Sequence, residues 1–96
     1  MLTIKAMEDL LAKHIDTLHD YGVSSLWLFG SAARGDSHAK DLDFIVEFKK
    51  PPGLMDYMGL KFFLEELFNM PVDLHSKASC PERFFKRIQA ELKHVA

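Results

Sequence analysis

Asp41-Leu42-Asp43-Phe44-Ile45-Val46-Glu47-Phe48 is the run from which the rest of the chain can be read. Side chains alternate across an extended strand. Leu42, Phe44, Val46 and Phe48 therefore share one face, and Asp41, Asp43, Ile45 and Glu47 share the other. The first face is wholly apolar and requires a core. The second begins with two carboxylates, which predicts a surface open to water or a ligand.

Working back toward the N-terminus, Asp36 to Lys40 is a polar loop and Ser31 to Gly35 a turn or brief helix. Ser24-Ser25-Leu26-Trp27-Leu28-Phe29 is a short apolar run stopped by Gly30, which suits a buried strand. Upstream, Ile4, Met7, Leu11, Ile15 and Leu18 recur at spacings of three and four. They predict one amphipathic helix from about Thr3 to Asp20, closed by Gly22 in the left-handed position.

Toward the C-terminus, Pro51-Pro52 cannot continue the strand. Leu54 to about Asn69 reads as a helix that is apolar around much of its circumference. Val72-Asp73-Leu74-His75 is a short strand after Pro71, with Val72 and Leu74 on one face and Asp73 and His75 on the other. Pro81 to His94 reads as a last helix, striped by Phe84, Phe85, Ile88 and Leu92. The order α-β-turn-β-α-β-α predicts an α/β chain of the two-layer α+β kind. Its small mixed sheet has three or more strands, with helices mainly on one face.

Bulk composition narrows the function. At 96 residues, the span 1–96 reads as one domain. The balance of 12 Lys+Arg against 14 Asp+Glu gives a net charge of -2, which disfavours a nucleic-acid backbone as main partner. One cysteine, Cys80, leaves no internal disulfide, and the N-terminal helix carries charges at intervals. Both point to a cytoplasmic protein with no membrane segment.

Three features fall at strand ends: Gly30-Ser31, Asp41-x-Asp43 and Asp73. Each alone has a bland reading, as a turn, a solvated strand edge or an isolated acid. Together they suggest phosphate chemistry. Magnesium takes oxygen ligands and usually sits between carboxylates and substrate phosphates. Aspartates at i and i+2 point the same way, and a third on a neighbouring strand lies about 4.8 Å across. Such a trio could hold two metals roughly 3.5–4 Å apart. The strand-to-turn junction at Gly30-Ser31 offers backbone N–H groups for a triphosphate, with the Ser31 hydroxyl as a further donor. Asp43 and Asp73 are both candidates to accept a proton.

The segment FGSAARGDSHAKDLDFIVEF, residues 29–48, resembles the Gly-Ser…Asp-x-Asp signature of the DNA polymerase β-type nucleotidyltransferase superfamily. Its short form, Gly30-Ser31-x-x-Arg34-Gly35-Asp36, is similar to the minimal nucleotidyltransferase (MNT) branch, which includes the antitoxins of HEPN–MNT toxin–antitoxin pairs. Two details depart from the usual form: Lys40 precedes Asp41, and the linker from Ser31 to Asp41 is one residue short. The resemblance implies a transferase moving AMP from ATP, or a nucleoside monophosphate from another NTP, onto a HEPN ribonuclease toxin. It implies Asp41, Asp43 and Asp73 as catalytic magnesium ligands, with Gly30 and Ser31 on the triphosphate. The alternative is an antitoxin that neutralises its toxin by binding alone.

Arg34 has three open readings: a phosphate contact, a toxin contact, or a pairing with Asp36. Glu47 lies about 13 Å beyond Asp43 at strand rise and reads as a surface residue. His75 reads as a solvated histidine and Cys80 as a small packed residue at a helix start. Met55, Met58, Phe62, Phe63 and Phe68 are too many for one small core. Some of them should form an exposed patch for self-association as a homodimer or for a toxin.

Overall fold

The computed structural model describes residues 2–36 and 38–96. Ser37, part of the polar loop read from sequence, and Met1 lie outside them. The elements are α1 (Ile4–Lys13), α2 (Ile15–Asp20), β1 (Val23–Phe29), β2 (Leu42–Phe48), α3 (Leu54–Phe68), β3 (Val72–Ser76), α4 (Glu82–Ile88) and β4 (Lys93–His94), with single 3-10 turns at Lys77–Ser79 and Gln89–Glu91.

The four strands form one mixed sheet in the order β3-β2-β1-β4. β1 runs antiparallel to both β2 and β4, whereas β3 runs parallel to β2. A parallel neighbour requires a crossover, and α3 supplies it. Leu26, Leu28, Leu42, Phe44, Val46, Val72 and Leu74 bury one sheet face against Met7, Leu11, Leu18, Leu60, Leu64 and Phe68 from α1, α2 and α3. The helices thus lie mainly on one face, as the pattern predicts.

The opposite face departs from the sequence reading. Ile45 is fully buried, in a second cluster with Phe29 and Ile88 that Trp27, Phe84, Phe85 and Leu92 surround. The apolar stripe of α4 needs a surface to cover, and the Ile45 part of this face provides it. The two ends of this face, Asp41 with Asp43 and Glu47, stay accessible on either side of Ile45.

Two helix boundaries also differ. The first helix breaks at His14, whose N–H donates to the Leu11 carbonyl at 3.0 Å, tightening the final turn of α1. His14 meets the edge of Phe63 at 5.7 Å. Leu18 stays in the core across the break, while Ile15 turns outward to 39% exposure. The last helix ends at Ile88 rather than near His94; the chain then tightens through Gln89–Glu91 and returns as β4. The N–H of Val95 donates to the Leu26 carbonyl at 2.9 Å, and the N–H of Leu26 to the Ala96 carbonyl at 2.8 Å.

The outer edge of β3 is blunted by α3. Glu65 accepts the Val72 N–H at 3.0 Å, and the Tyr57 hydroxyl donates to the Leu74 carbonyl. Side chains of α3 thereby satisfy backbone groups that would otherwise invite another strand. At its C-terminal end α3 stops on Asn69, which adopts the left-handed conformation at φ 53° that asparagine tolerates.

Burial of Ile45 on the acidic face has a measurable consequence. Ile45→Ala should cost about 2–4 kcal/mol in urea unfolding. Ile15→Ala, at the outward-turned position, should cost no more than about 0.5 kcal/mol.

Candidate functional site

The site is assembled from the ends of three adjacent strands. Asp43 lies opposite Phe29 on β1 and opposite Asp73 on β3. Asp41 stands just before β2, exposed, two positions from Asp43 and on the same side. The three carboxylates read from the sequence are therefore neighbours. Asp43, half-buried, is the innermost, and Asp41 and Asp73 flank it at the surface.

That crowding is visible in the acidity of Asp43. Its pKa is raised, first because burial disfavours the charged form, then because Asp41 and Asp73 add negative charge beside it. Its protonated form also gains a hydrogen bond to Asp73, while His75 acts weakly in the opposite direction. Among the described residues, no group of three or more His, Cys, Asp or Glu side chains is placed to hold a metal ion by itself. The cluster is a concentrated negative charge with an open side.

Gly30 follows directly from β1, with φ at 79°. A Cβ at this position would collide with the Asp43 carboxylate, falling 3.2 Å from its Cγ and closer still to Oδ2. Glycine thus meets two demands at once: a left-handed backbone and a close approach to Asp43. Beyond it the chain turns tightly. The Arg34 N–H donates to the Gly30 carbonyl at 3.2 Å, and the Asp36 N–H to the Ser31 carbonyl at 3.1 Å. Such a turn leaves its leading N–H groups without partners inside it. Among the described residues, those of Ser31, Ala32 and Ala33 have no backbone acceptor.

The Gly30 N–H itself is not free. It donates to Glu91 Oε1 at 3.1 Å, and Arg34 Nη1 meets Glu91 Oε2 at 3.0 Å. The pairing of Arg34 with Asp36 considered from sequence is replaced by this one. Asp36 instead accepts the His38 N–H at 2.8 Å. Glu91 went unrecognised because its stretch reads as plain helix. The available signal was Val95, an apolar residue lying beyond the last helical stripe.

Other residues fall close to their sequence readings. Glu47 pairs with Lys77 at 3.5 Å, away from the aspartates. His75 is exposed, with its ring 5.6 Å from Phe29 and 5.8 Å from Phe84. Cys80 packs at the rim of the second cluster. Past His75, a groove of about 1150 Å³ opens between Pro52, Tyr57, Ser76 and Pro81. Of the five large residues singled out from sequence, Met55 and Phe62 are 82% and 56% exposed, Met58 and Phe63 are half-buried and Phe68 is buried, while Leu54 is also exposed, at 75%. Among the described residues, no helix is long and apolar enough to cross a membrane.

A strand-to-turn glycine thus packs against an Asp-x-Asp strand, with a third aspartate across the ladder. The family pattern described as nucleotidyltransferase domain matches residues 8–95, and the chain belongs to that family. It is 33% identical over 97 residues to the protein adenylyltransferase MntA of Thermococcus cleftensis, covering 99% of this chain and 98% of that one. Among solved structures, it is similar to a proposed minimal nucleotidyltransferase (26% identity, TM-score 0.78, covering 96% of this chain and 95% of that one). Two further structures share the fold. One is a toxin–antitoxin complex with AMP-PNP (22% identity, TM-score 0.73, covering 93% of this chain and 72% of that one). The other is a tri-AMPylated HEPN toxin with MNT antitoxin from Shewanella oneidensis (20% identity, TM-score 0.67, covering 94% and 71%).

The acidity of Asp43 gives a prediction with a definite sign. A carboxyl whose folded pKa is raised contributes stability that is present below its unfolded pKa and lost as pH rises through the folded value. Asp43→Asn should therefore raise the melting temperature of the protein in chelator. The gain should be largest near neutral pH and shrink toward zero at about pH 4, as followed by thermal melts across that range.

Proposed function

We propose that this chain, acting as a single minimal domain over residues 1–96, transfers AMP from ATP to a protein, and that the acceptor is a HEPN-type toxin. The observation that carries this reading is the juxtaposition of Asp43 with Asp73 across β2 and β3, beside Asp41 and against Gly30. Support for the acceptor comes from the MntA relative, an adenylyltransferase of proteins by name. The neighbour whose HEPN toxin is tri-AMPylated adds to it.

The donor set fits magnesium. Asp41, Asp43 and Asp73 carry hard oxygen donors, and burial first and the charges of Asp41 and Asp73 next raise the Asp43 pKa. Magnesium characteristically takes few protein ligands and fills its sphere with water and phosphate oxygens. When bound, magnesium would supply charge neutralisation for the triphosphate and the leaving pyrophosphate. The N–H groups of Ser31, Ala32 and Ala33 present a positive turn to the phosphates, and the Ser31 hydroxyl adds a donor. Arg34 keeps further guanidinium donors beyond the one that meets Glu91. Asp43, the most buried of the three acids, is suited to take the proton of an acceptor hydroxyl. The groove past His75 offers room for an acceptor chain.

A second reading, neutralisation by binding alone, draws on the exposed α3 residues Leu54, Met55 and Phe62. One experiment separates the two: purified protein, magnesium and ATP are mixed with a HEPN partner, and added AMP is followed by mass spectrometry. Transfer should occur, and Asp41→Asn or Asp43→Asn should reduce it by about 100-fold or more, the scale of losing positioned acid–base groups. A stable complex with no added mass, unaffected by either substitution, would establish binding alone. Under both readings, Phe62→Asp should weaken the complex by at least about tenfold in titration calorimetry.

A further inference from the structure

The β1·β4 ladder stops short of the site. Trp27 pairs with His94 and Leu28 with Lys93, and continuing that register would bring Gly30 opposite Glu91. No strand backbone is there to meet it, because Gln89–Glu91 has already tightened into a 3-10 turn and the Leu92 N–H bonds back to Gln89. The Gly30 N–H would be orphaned at the end of β1. The Glu91 carboxylate takes the place of the missing ladder acceptor with one oxygen and holds Arg34 with the other.

These two contacts fall at the two ends of one turn. Residue 30 opens it and residue 34 closes it through the Arg34 N–H to the Gly30 carbonyl. Between them lie the N–H groups of Ser31, Ala32 and Ala33. On the other side of the turn, the space a Cβ at Gly30 would need is taken by the Asp43 carboxylate. The start of the turn therefore lies between Asp43 and Glu91. Glu91 touches none of the reacting groups.

We propose that Glu91 is a positioning residue for nucleotidyl transfer: it clamps both ends of the Gly30–Arg34 turn and makes the C-terminal edge strand β4 part of the phosphate site. The inference rests on the nucleotidyl-transfer reading. Ionised Glu91 suits the role, since its pKa is lowered by the Gly30 N–H first and by Arg34 second. A glutamine at position 91 keeps an oxygen for Gly30 but loses the charge pairing with Arg34. An alanine loses both contacts.

The test compares wild type, Glu91→Gln and Glu91→Ala in AMP-PNP binding and in steady-state AMP transfer with ATP, with circular dichroism and thermal melts confirming the folded fraction. Folded Glu91→Ala should bind AMP-PNP about tenfold more weakly and raise KM for ATP by a similar factor, with kcat falling less. Glu91→Gln should recover part of the loss. A lowered melting temperature with unchanged KM and AMP-PNP affinity would overturn the proposal and leave Glu91 a purely structural brace. Tighter AMP-PNP binding in Glu91→Ala would also overturn it, since the carboxylate would then be competing with phosphate. Wild type that neither binds AMP-PNP nor transfers AMP would instead remove the nucleotidyl-transfer reading, and the positioning role with it. Normal wild-type activity matched by both variants would remove only the role of Glu91.

Discussion

The central strand β2 is apolar on both faces at Phe44, Ile45 and Val46, each with no exposed surface. A strand gripped from both sides cannot slip by one residue without exchanging its faces, so the position of Asp43 is fixed by the residues that follow it. Asp43 shares a face with Ile45 and stands where the second core ends. A carboxylate held at the rim of an apolar cluster is partly desolvated without being sealed in. Its raised pKa reflects that partial burial first and the neighbouring charges of Asp41 and Asp73 next.

The neighbours of Asp43 complete the site at little cost in residues. Parallel pairing places Asp73 across from it, and α3 both provides the required crossover and covers the far edge of β3 through Glu65 and Tyr57. On the other side, Gly30 gives up its side chain so that the backbone can close on the carboxylate. Like charges gathered in this way destabilise the ligand-free fold. Part of the stability supplied by the two cores is thus offset by the cluster, and a proton shared between Asp43 and Asp73 relieves some of it.

Both cores serve this arrangement differently. The larger one, beneath α1, α2 and α3, secures the sheet. The smaller one, under α4, covers Ile45 on the opposite face and leaves Asp43 half-exposed beside it. Continuation of α4 to His94 would carry the chain away from the sheet. Its early end at Ile88 instead returns the chain to β1 and delivers Glu91 to the turn.

Residue types and local spacing were enough to determine much of this. The alternation in residues 41–48, the stops at Gly22, Gly30 and Pro51, and the apolar stripes identified three strands, the major helices and the shared face of the aspartates. These are short-range properties, set by the two-residue period of a strand and the 3.6-residue period of a helix. The tertiary structure decided what depends on partners distant in sequence. Ile45 looked exposable because its neighbours on that face are acids, and only α4 packing across it settles its burial. β4 is two polar residues long and carries no periodic signal; it exists because β1 presents an unpaired edge. Glu91 meets Gly30 and Arg34 across 61 and 57 residues of chain, respectively. No local pattern encodes such a contact, because its energy arises only once the sheet has brought these distant stretches of chain together.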